Sequence, residues 1–261
     1  MKKTRLPQYL ALSILIGFIF GTALARADIF MKQKRHSDPF QIMGRSQPGT
    51  DTTTVFWIGE NKVRTDFETA KTSTILMVDK KLAVMIDHAK RQYSEMPLDL
   101  DKIFKEDRAG TRDDQEKTEV TITMHGRVAA KGGLGWSANV TETGETKKIG
   151  DWNCRKYLIE MNIGMGGVST SEAWATEDLK VDYATAFAAA NGLRARLPGF
   201  EQTVREMKKV KGFVVLQRET VRMMGAEVKS TTELAECVEK DAPAGTYDIP
   251  AGYKKVKADK I

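Results

Sequence analysis

Short runs of alternating apolar residues, separated by tight turn signals, constrain this fold more than any other feature of the sequence. In TTTVFWIGENKVRTDF, residues 52–67, two β-favouring runs flank Gly59-Glu60-Asn61-Lys62, which is a hairpin signal. Residues 72–88 repeat the arrangement around Asp79-Lys80-Lys81. Successive side chains of a strand point to opposite faces, so such runs can turn one aliphatic face towards a core. The segment is therefore predicted to be an antiparallel meander.

Strands outnumber helices in the rest of the chain. The pattern predicts strands at 118–125, 136–148, 152–163 and 168–177, and a late hairpin that turns at Gly225-Ala226. Helical spacing of apolar residues is confined to 98–104, to Tyr183, Ala186, Phe187 and Ala190, and to Phe200, Val204 and Met207. We expect a mainly β (α+β) fold, with a large curved antiparallel sheet or unclosed β-barrel and two or three short helices covering one face. The helices either complete an ordinary core or form a lid over a cavity.

The first residues have the organisation of a secretory leader. Lys2, Lys3 and Arg5 precede an apolar run over 10–23, and Ala25-Arg26-Ala27 supplies the small residues that signal peptidase requires. Cleavage is expected before Asp28, with Ala23-Leu24-Ala25 as a second choice. The alternative is an uncleaved anchor, but the run is shorter than the ~20 residues of a spanning helix. The prediction is a cleaved signal peptide, 1–27, and a periplasmic protein without a stable membrane anchor.

Charge argues against a nucleic-acid partner. The whole chain carries a net charge of +6, but four of its cations lie in the leader, and the remaining chain is nearly balanced with both signs mixed. Nucleic-acid binders usually carry a strong basic excess or stripe. The remaining residues, 28–261, are expected to form a single β domain with a solvated loop at 105–117 and a helical lid at 179–209.

The chain has two cysteines, Cys154 and Cys237. In an oxidising compartment such a pair favours a disulfide, and the alternative is two free, buried thiols. A catalytic thiol needs a histidine beside it, and none of His36, His88 and His125 stands in a recognised cysteine-hydrolase context. No zinc-binding pattern occurs either. We therefore expect no enzyme, no metal and no cofactor.

Several phrases resemble a bacterial envelope family known as domain of unknown function 4412. They are ADIFMKQKRHSDPF, VFWIGENKVRTDF, DKKLAVMIDHAKRQY, TKKIGDWNCRKYLIE and YDIPAGYKKV, in this order along the chain. This family is thought to be similar in fold to periplasmic lipoprotein carriers of the LolA/LolB type. The resemblance implies an unclosed antiparallel barrel whose concave apolar side is covered by short helices. It supplies no catalytic residues.

Two functions remain open. The first is a periplasmic protein that binds or carries a hydrophobic ligand, such as a lipid or a lipidated protein, in a half-barrel pocket. The second is an envelope interaction or sensor module with a filled core and no ligand. Methionine and aromatic side chains suit an apolar pocket, although core packing is the simpler explanation for each of them. The candidate ligand-binding residues are Trp57, Met77, Met85, Met124, Trp136, Met161, Trp174 and Phe187.

Overall fold

The computed structural model describes residues 27–97, 136–164, 166–179, 181, 187 and 199–257. The predicted helix at 98–104, the loop at 105–117, the strand at 118–125 with Met124, and Ala25 of the cleavage site lie outside these residues. The strands are β1 (Ile29–Ser37), β2 (Phe40–Ile42), β3 (Arg45–Gln47), β4 (Thr50–Ile58), β5 (Lys62–Phe67), β6 (Thr72–Met77), β7 (Leu82–Asp87), β8 (Gln92–Pro97), β9 (Ser137–Ile149), β10 (Trp152–Asn162), β11 (Val168–Thr176), β12 (Phe213–Met223), β13 (Ala226–Glu239) and β14 (Lys254–Lys255). The described helix, α1, is Phe200–Met207.

One large sheet contains twelve of these described strands. Its order is β14-β8-β7-β6-β5-β4-β1-β13-β12-β11-β10-β9, and β2 and β3 form a separate hairpin. Neighbours are antiparallel except for the short β14, which runs parallel to β8. The first strand, β1, lies between β4 and β13 and joins two hairpin-connected halves. The prediction of a mainly β, unclosed sheet is confirmed.

Strands that are far apart in the order of the sheet share one buried core, which shows that the sheet is strongly curved. Ala83 on β7 and Tyr157 on β10 belong to the same buried cluster. In a flat sheet these strands would lie eight spacings, or about 38 Å, apart. Curvature brings the two halves together around α1, and the cluster marks the concave side.

The structure describes one complete helix; the other predicted helices lie wholly or mostly outside the described residues, so the prediction of two or three helices is not confirmed. Residues 200–207 form α1 as the apolar spacing predicts. Phe187 is helical and buried, but its neighbours at 182–186 and 188–190 lie outside the described residues.

The meander is covered on both of its faces, which the sequence pattern did not reveal. Val63, Leu76 and Ala83 face the concave core. On the opposite face, Ile75, Val84 and Ile86 are buried against the C-terminal segment, residues 242–256, through Tyr247, Ile249 and Tyr253. This segment therefore occupies the convex side of the meander.

The predicted bridge between Cys154 and Cys237 is not formed, and both residues are free thiols. Cys154 lies on β10 and Cys237 on β13, with β11 and β12 between them. Three strand spacings amount to about 14 Å along the sheet, whereas the Cα atoms of a disulfide lie less than ~7 Å apart. Burial raises the pKa of both thiols, so both remain protonated at neutral pH.

Candidate binding face

The concave side of the sheet carries an extended apolar surface, which we call the concave face. Its buried members come from both halves of the sheet, from α1 and from the residues next to the helix. Those on strands are Val63, Leu76, Ala83, Val140, Tyr157, Ile159, Ala173, Ala175 and Val214. Cross-strand pairing explains part of the set, because Val63 lies opposite Leu76 and Leu76 opposite Ala83. The alternating hairpin pattern thus places their side chains on one surface.

Helix α1 covers the concave face with one apolar side. Phe200, Val204 and Met207 are spaced at i, i+4 and i+7, and all three are fully buried. The Phe200 ring stacks on Phe187, with 6.2 Å between the ring centroids, and meets Trp136 edge-on at 6.1 Å. The helix is therefore anchored by aromatic contacts at its beginning.

Hydrogen bonds join the other end of α1 to the sheet. The Val140 backbone N–H on β9 donates to Glu206 Oε2 at 3.3 Å, and the same oxygen accepts a hydrogen bond from Lys209 Nζ at 2.7 Å. Just beyond the helix, the Lys211 N–H donates to the Tyr157 hydroxyl at 3.3 Å. Tyr157 is completely buried, and burial raises the pKa of its phenol, so it remains neutral. These hydrogen bonds add to the apolar packing of Phe200, Val204 and Met207.

The structure brings together three of the eight candidate ligand-binding residues. Trp136, Met161 and Phe187 lie at the concave face. Trp174 belongs to a second cluster, and Lys147 Nζ lies 3.9 Å from the centroid of its ring. Met77 packs against the cluster beneath the C-terminal segment.

The remaining candidates are elsewhere. Trp57 meets Phe30 edge-on with 4.9 Å between the ring centroids, and Lys240 Nζ lies 3.7 Å from the Phe30 centroid. Met85 is half-buried on β7, and Met124 lies outside the described residues. The candidate residues are of types that suit an apolar pocket, but a residue type does not show which strands curl together.

Among the open clefts lined by described residues, two have walls that mix charged and apolar side chains. One, of about 430 Å³, lies beside the β9–β10 hairpin and is lined by Lys147, Lys148, Arg155, Lys211 and Asp178 among others. The other, of about 540 Å³, runs across β10 to β13 and includes Glu160, Glu172, Arg218 and Lys229. Neither offers the apolar lining expected of a lipid pocket.

A polar network on the convex face joins the meander to the C-terminal segment. Arg64 Nε donates to both carboxylate oxygens of Asp66, at 2.8 and 2.9 Å, and its Nη1 donates to the Thr246 carbonyl at 2.9 Å. Ser73 Oγ donates to Asp66 and lies 2.6 Å from His88 Nε2. His88 Nδ1 in turn lies 3.0 Å from the Tyr253 hydroxyl. None of its residues is among the candidate ligand-binding residues predicted from the sequence.

The network contains a serine, a histidine and an aspartate, but its geometry does not suit nucleophilic catalysis. In a catalytic triad the histidine lies between serine and carboxylate and accepts the serine proton. Here Ser73 lies between Asp66 and His88, donates directly to the carboxylate, and is 2% exposed. The arrangement is suited to holding the C-terminal segment in place.

A signal for half of this network is present in the sequence. Arg64 and Asp66 alternate onto one face of β5, and the hairpin register places Asp66 opposite Ser73. Tyr253 comes from far along the chain, and no local pattern points to it.

Within the described part of the chain, no group of three or more histidine, cysteine, aspartate or glutamate side chains is arranged to hold a metal ion. The same residues contain no helix that is long and apolar enough to cross a membrane.

These features define an unclosed, mainly β domain with a helix on its concave face. Residues 135–253 match the model of the family described as "Domain of unknown function (DUF4412)". The resemblance to this family is therefore confirmed over that segment, which includes β9 to β13 and α1.

Other comparisons add little. No curated protein matches the sequence. Among solved structures, the chain is similar to one titled "Structure of PNGF-II in C2 space group", at 12% identity and a TM-score of 0.37. The match covers 88% of this chain and 32% of that one, so the chain spans about a third of its length. A likeness this weak carries no argument about fold or activity.

Proposed function

We propose that this protein is a non-catalytic periplasmic binding or carrier protein for a hydrophobic ligand, either a lipid or a lipidated protein. The observation that carries the proposal is the apolar concave face of an unclosed sheet, on which α1 is seated through Phe200, Val204 and Met207. An acyl chain gains about 0.8 kcal/mol per buried methylene, so such a ligand could replace the apolar side of the helix. The expected likeness to LolA/LolB-type carriers agrees with this proposal by analogy of fold.

Ligand uptake would require α1 to move. The helix has eight residues, and isolated helices of that length are marginal in water, so its stability depends on docking. One polar contact between the helix and the sheet is the hydrogen bond from the Val140 N–H to Glu206. Phe200, Val204 and Met207 form the apolar part of the buried side of the helix, and a ligand that offers equivalent apolar area can take their place.

The test measures uptake of a fluorescent fatty acid by wild-type protein and by the E206A and E201A variants. E206A removes the hydrogen bond to β9, and loss of about 1 kcal/mol should accelerate uptake roughly fivefold where helix displacement limits the rate. E201A removes an equal charge from the first turn of the same helix and serves as the matched control. It should leave uptake within twofold of wild type.

Native mass spectrometry of protein isolated from the periplasm supplies the second readout. A retained lipid mass would support the proposal. A mass corresponding to protein alone, together with no fatty-acid uptake by any of the three proteins, would overturn it.

The alternative is an envelope interaction or sensor module with a filled core. The observation that favours it is the complete burial of Phe200, Val204 and Met207, which already fill the space against the sheet. On this alternative E206A would destabilise the protein without creating uptake, and crosslinking in the periplasm would capture a protein partner. The same uptake experiment therefore separates the two functions.

The proposed compartment depends on the leader. Intact-mass analysis of exported protein should give a chain that begins at Asp28. A mass that retains Met1 would contradict cleavage.

A further inference from the structure

The cleft beside the β9–β10 hairpin, which we call the hairpin cleft, adjoins one end of the concave face. Its volume is about 430 Å³, and Ala175 belongs both to its wall and to the buried cluster of the concave face. Lys211, another residue of the wall, directly follows Val210 of that cluster. The Lys211 backbone N–H also donates to the Tyr157 hydroxyl at 3.3 Å. A molecule that lies on the concave face near Tyr157 therefore has this cleft beside it.

Charged side chains of the hairpin cleft act on Tyr157. Burial is the main reason why the pKa of this phenol is raised, and the charges of Arg155 and Glu177 also act on that pKa, in opposite directions. Both of these residues line the cleft. Because Coulomb interactions weaken with distance, the charged wall lies near the buried hydroxyl group of the concave face.

The wall of the hairpin cleft carries an excess of positive charge. Four cations and two carboxylates line it, namely Lys147, Lys148, Arg155, Lys211, Glu177 and Asp178. Lys147 Nζ lies over the Trp174 ring, 3.9 Å from its centroid. Lys148 and Lys211 are exposed, and neither forms an ion pair with another described residue. These two ammonium groups are the positions at which a negatively charged ligand would bind.

The carboxylates near the cleft do not cancel this charge. Arg155 Nη1 lies 3.5 Å from Glu142 Oε1, in an exposed pair that contributes little and leaves the guanidinium accessible. Asp178 Oδ2 accepts a hydrogen bond from the Asn153 backbone N–H at 3.0 Å, which holds this carboxylate beside β10. Even with Glu142 counted, the cations exceed the carboxylates by one. Removal of Glu177 from the wall would increase that excess.

This arrangement suits the polar end of an amphiphile. Lysine ammonium groups form charge-assisted hydrogen bonds to carboxylate and phosphate oxygens, and the apolar surface next to them suits an acyl chain. An acyl chain attached to a protein is joined through an amide or an ester, and it carries no negative charge at that point. The hairpin cleft therefore favours a free lipid with an anionic headgroup over a lipidated protein.

We propose that the hairpin cleft binds the anionic headgroup, a carboxylate or a phosphate, of a lipid whose acyl chain lies on the concave face. This inference rests on the proposed function, because the acyl chain needs that face. It adds the chemical class of the ligand: the headgroup contacts Lys148 and Lys211, while the chain takes the place of the apolar side of α1. A neutral lipid lacks the first of these contacts and binds more weakly.

The test measures the binding of laurate, lauryl phosphate and lauryl alcohol by isothermal titration calorimetry at pH 8, where laurate is ionised. Wild-type protein should bind at least one of the two anions roughly fivefold more tightly than the alcohol, and added salt should weaken that preference. The anion that binds more tightly identifies the headgroup. K148A/K211A should lose the preference and keep its affinity for the alcohol, whereas a merely destabilised variant would bind all three ligands more weakly.

Two further variants complete the design. K34A/K80A removes the same number of exposed lysines from positions that do not line the cleft, and it should keep the preference for the anion. E177Q removes a negative charge from the wall, so it should strengthen anion binding about twofold and leave binding of the alcohol unchanged.

The outcomes separate this inference from the proposed function. If wild-type protein binds the alcohol as tightly as both anions, or if K148A/K211A keeps the preference, the headgroup site is overturned and the proposed function stands. If wild-type protein binds none of the three ligands, both are overturned.

Discussion

Gly212 and Gly225 share a left-handed backbone conformation, with φ of 81° and 76°, but differ in their surroundings. A Cβ at Gly212 would lie 1.9 Å from the Thr176 carbonyl oxygen, whereas a Cβ at Gly225 would meet nothing within 4 Å. Gly212 is therefore required both by its dihedral angle and by a close approach between the chain leaving α1 and the end of β11. At Gly225 only the dihedral angle matters.

This difference predicts the stability of two variants. G225A should cost about 1 kcal/mol, because alanine is strained at positive φ. G212A should cost about 3 kcal/mol or more, because the backbone must also move away from Thr176. Urea denaturation followed by circular dichroism measures both. Equal losses for the two variants would contradict the close approach at Gly212.

The cysteines give a second prediction at this scale. Because burial raises the pKa of both thiols, the thiolate fraction is small at neutral pH and grows only as pH rises. Alkylation of native protein by iodoacetamide should therefore be much slower than that of free cysteine at pH 7.5 and should accelerate towards higher pH. Denatured, unreduced protein should take up two labels. Uptake of none would show that Cys154 and Cys237 are bridged after all.

At the scale of elements, the hairpins form from local chemistry and the C-terminal segment does not. Lys71, Lys81 and Arg91 each end a turn of the meander with φ near 50°, ten residues apart. Such recurring turns fix the register between neighbouring strands. The C-terminal segment has no comparable signal, and its place on the convex face depends on Arg64, Asp66 and His88, which belong to other elements.

The network should therefore hold that segment in place. D66N weakens the acceptor for Arg64 and Ser73 in a partly buried site, and it should cost about 2 kcal/mol. Hydrogen exchange of residues 246–256 should accelerate in the same variant. K255A serves as the control, because its ion pair with Glu95 is exposed and contributes little. Unchanged exchange in D66N would show that the apolar contacts of Tyr247 and Ile249 suffice.

At the scale of the whole molecule, β1 joins the two halves of the large sheet, β4 to β8 and β9 to β13. It pairs with β4 on one side and β13 on the other, and Met31 at its centre is completely buried. Met31 packs in the second cluster, which also contains Phe56 from the first half and Phe213 from the second. Neither half completes this cluster alone.

M31A should therefore destabilise the entire molecule. Its expected cost is about 2–5 kcal/mol, as for other buried methionines truncated to alanine. Tryptophan fluorescence and far-ultraviolet circular dichroism should follow one coincident transition in wild type and variant. Two separate transitions would show that the halves fold independently.

The sequence predicted an apolar surface covered by a helix, but it did not predict which residues form that surface. Trp136, Met161 and Phe187 do lie at the concave face, and the spacing of Phe200, Val204 and Met207 predicted the helix that covers it. The sequence did not reveal that Trp57 and Met77 lie elsewhere, because their residue types suit a core and a pocket equally well. The curvature of the whole sheet decides which strands line the concave face.

The sequence by itself determined most of the hairpin strands, α1 and the resemblance of residues 135–253 to a family. These depend on contacts between near neighbours, where turn geometry and side-chain alternation allow few alternatives. Tertiary structure alone decided that β1 pairs with β13, that the two cysteines lie three strands apart, and that the C-terminal segment covers the meander. Those contacts join residues up to about 200 positions apart. Each depends on many weak packing and hydrogen-bonding interactions between distant segments, which no short stretch of sequence contains.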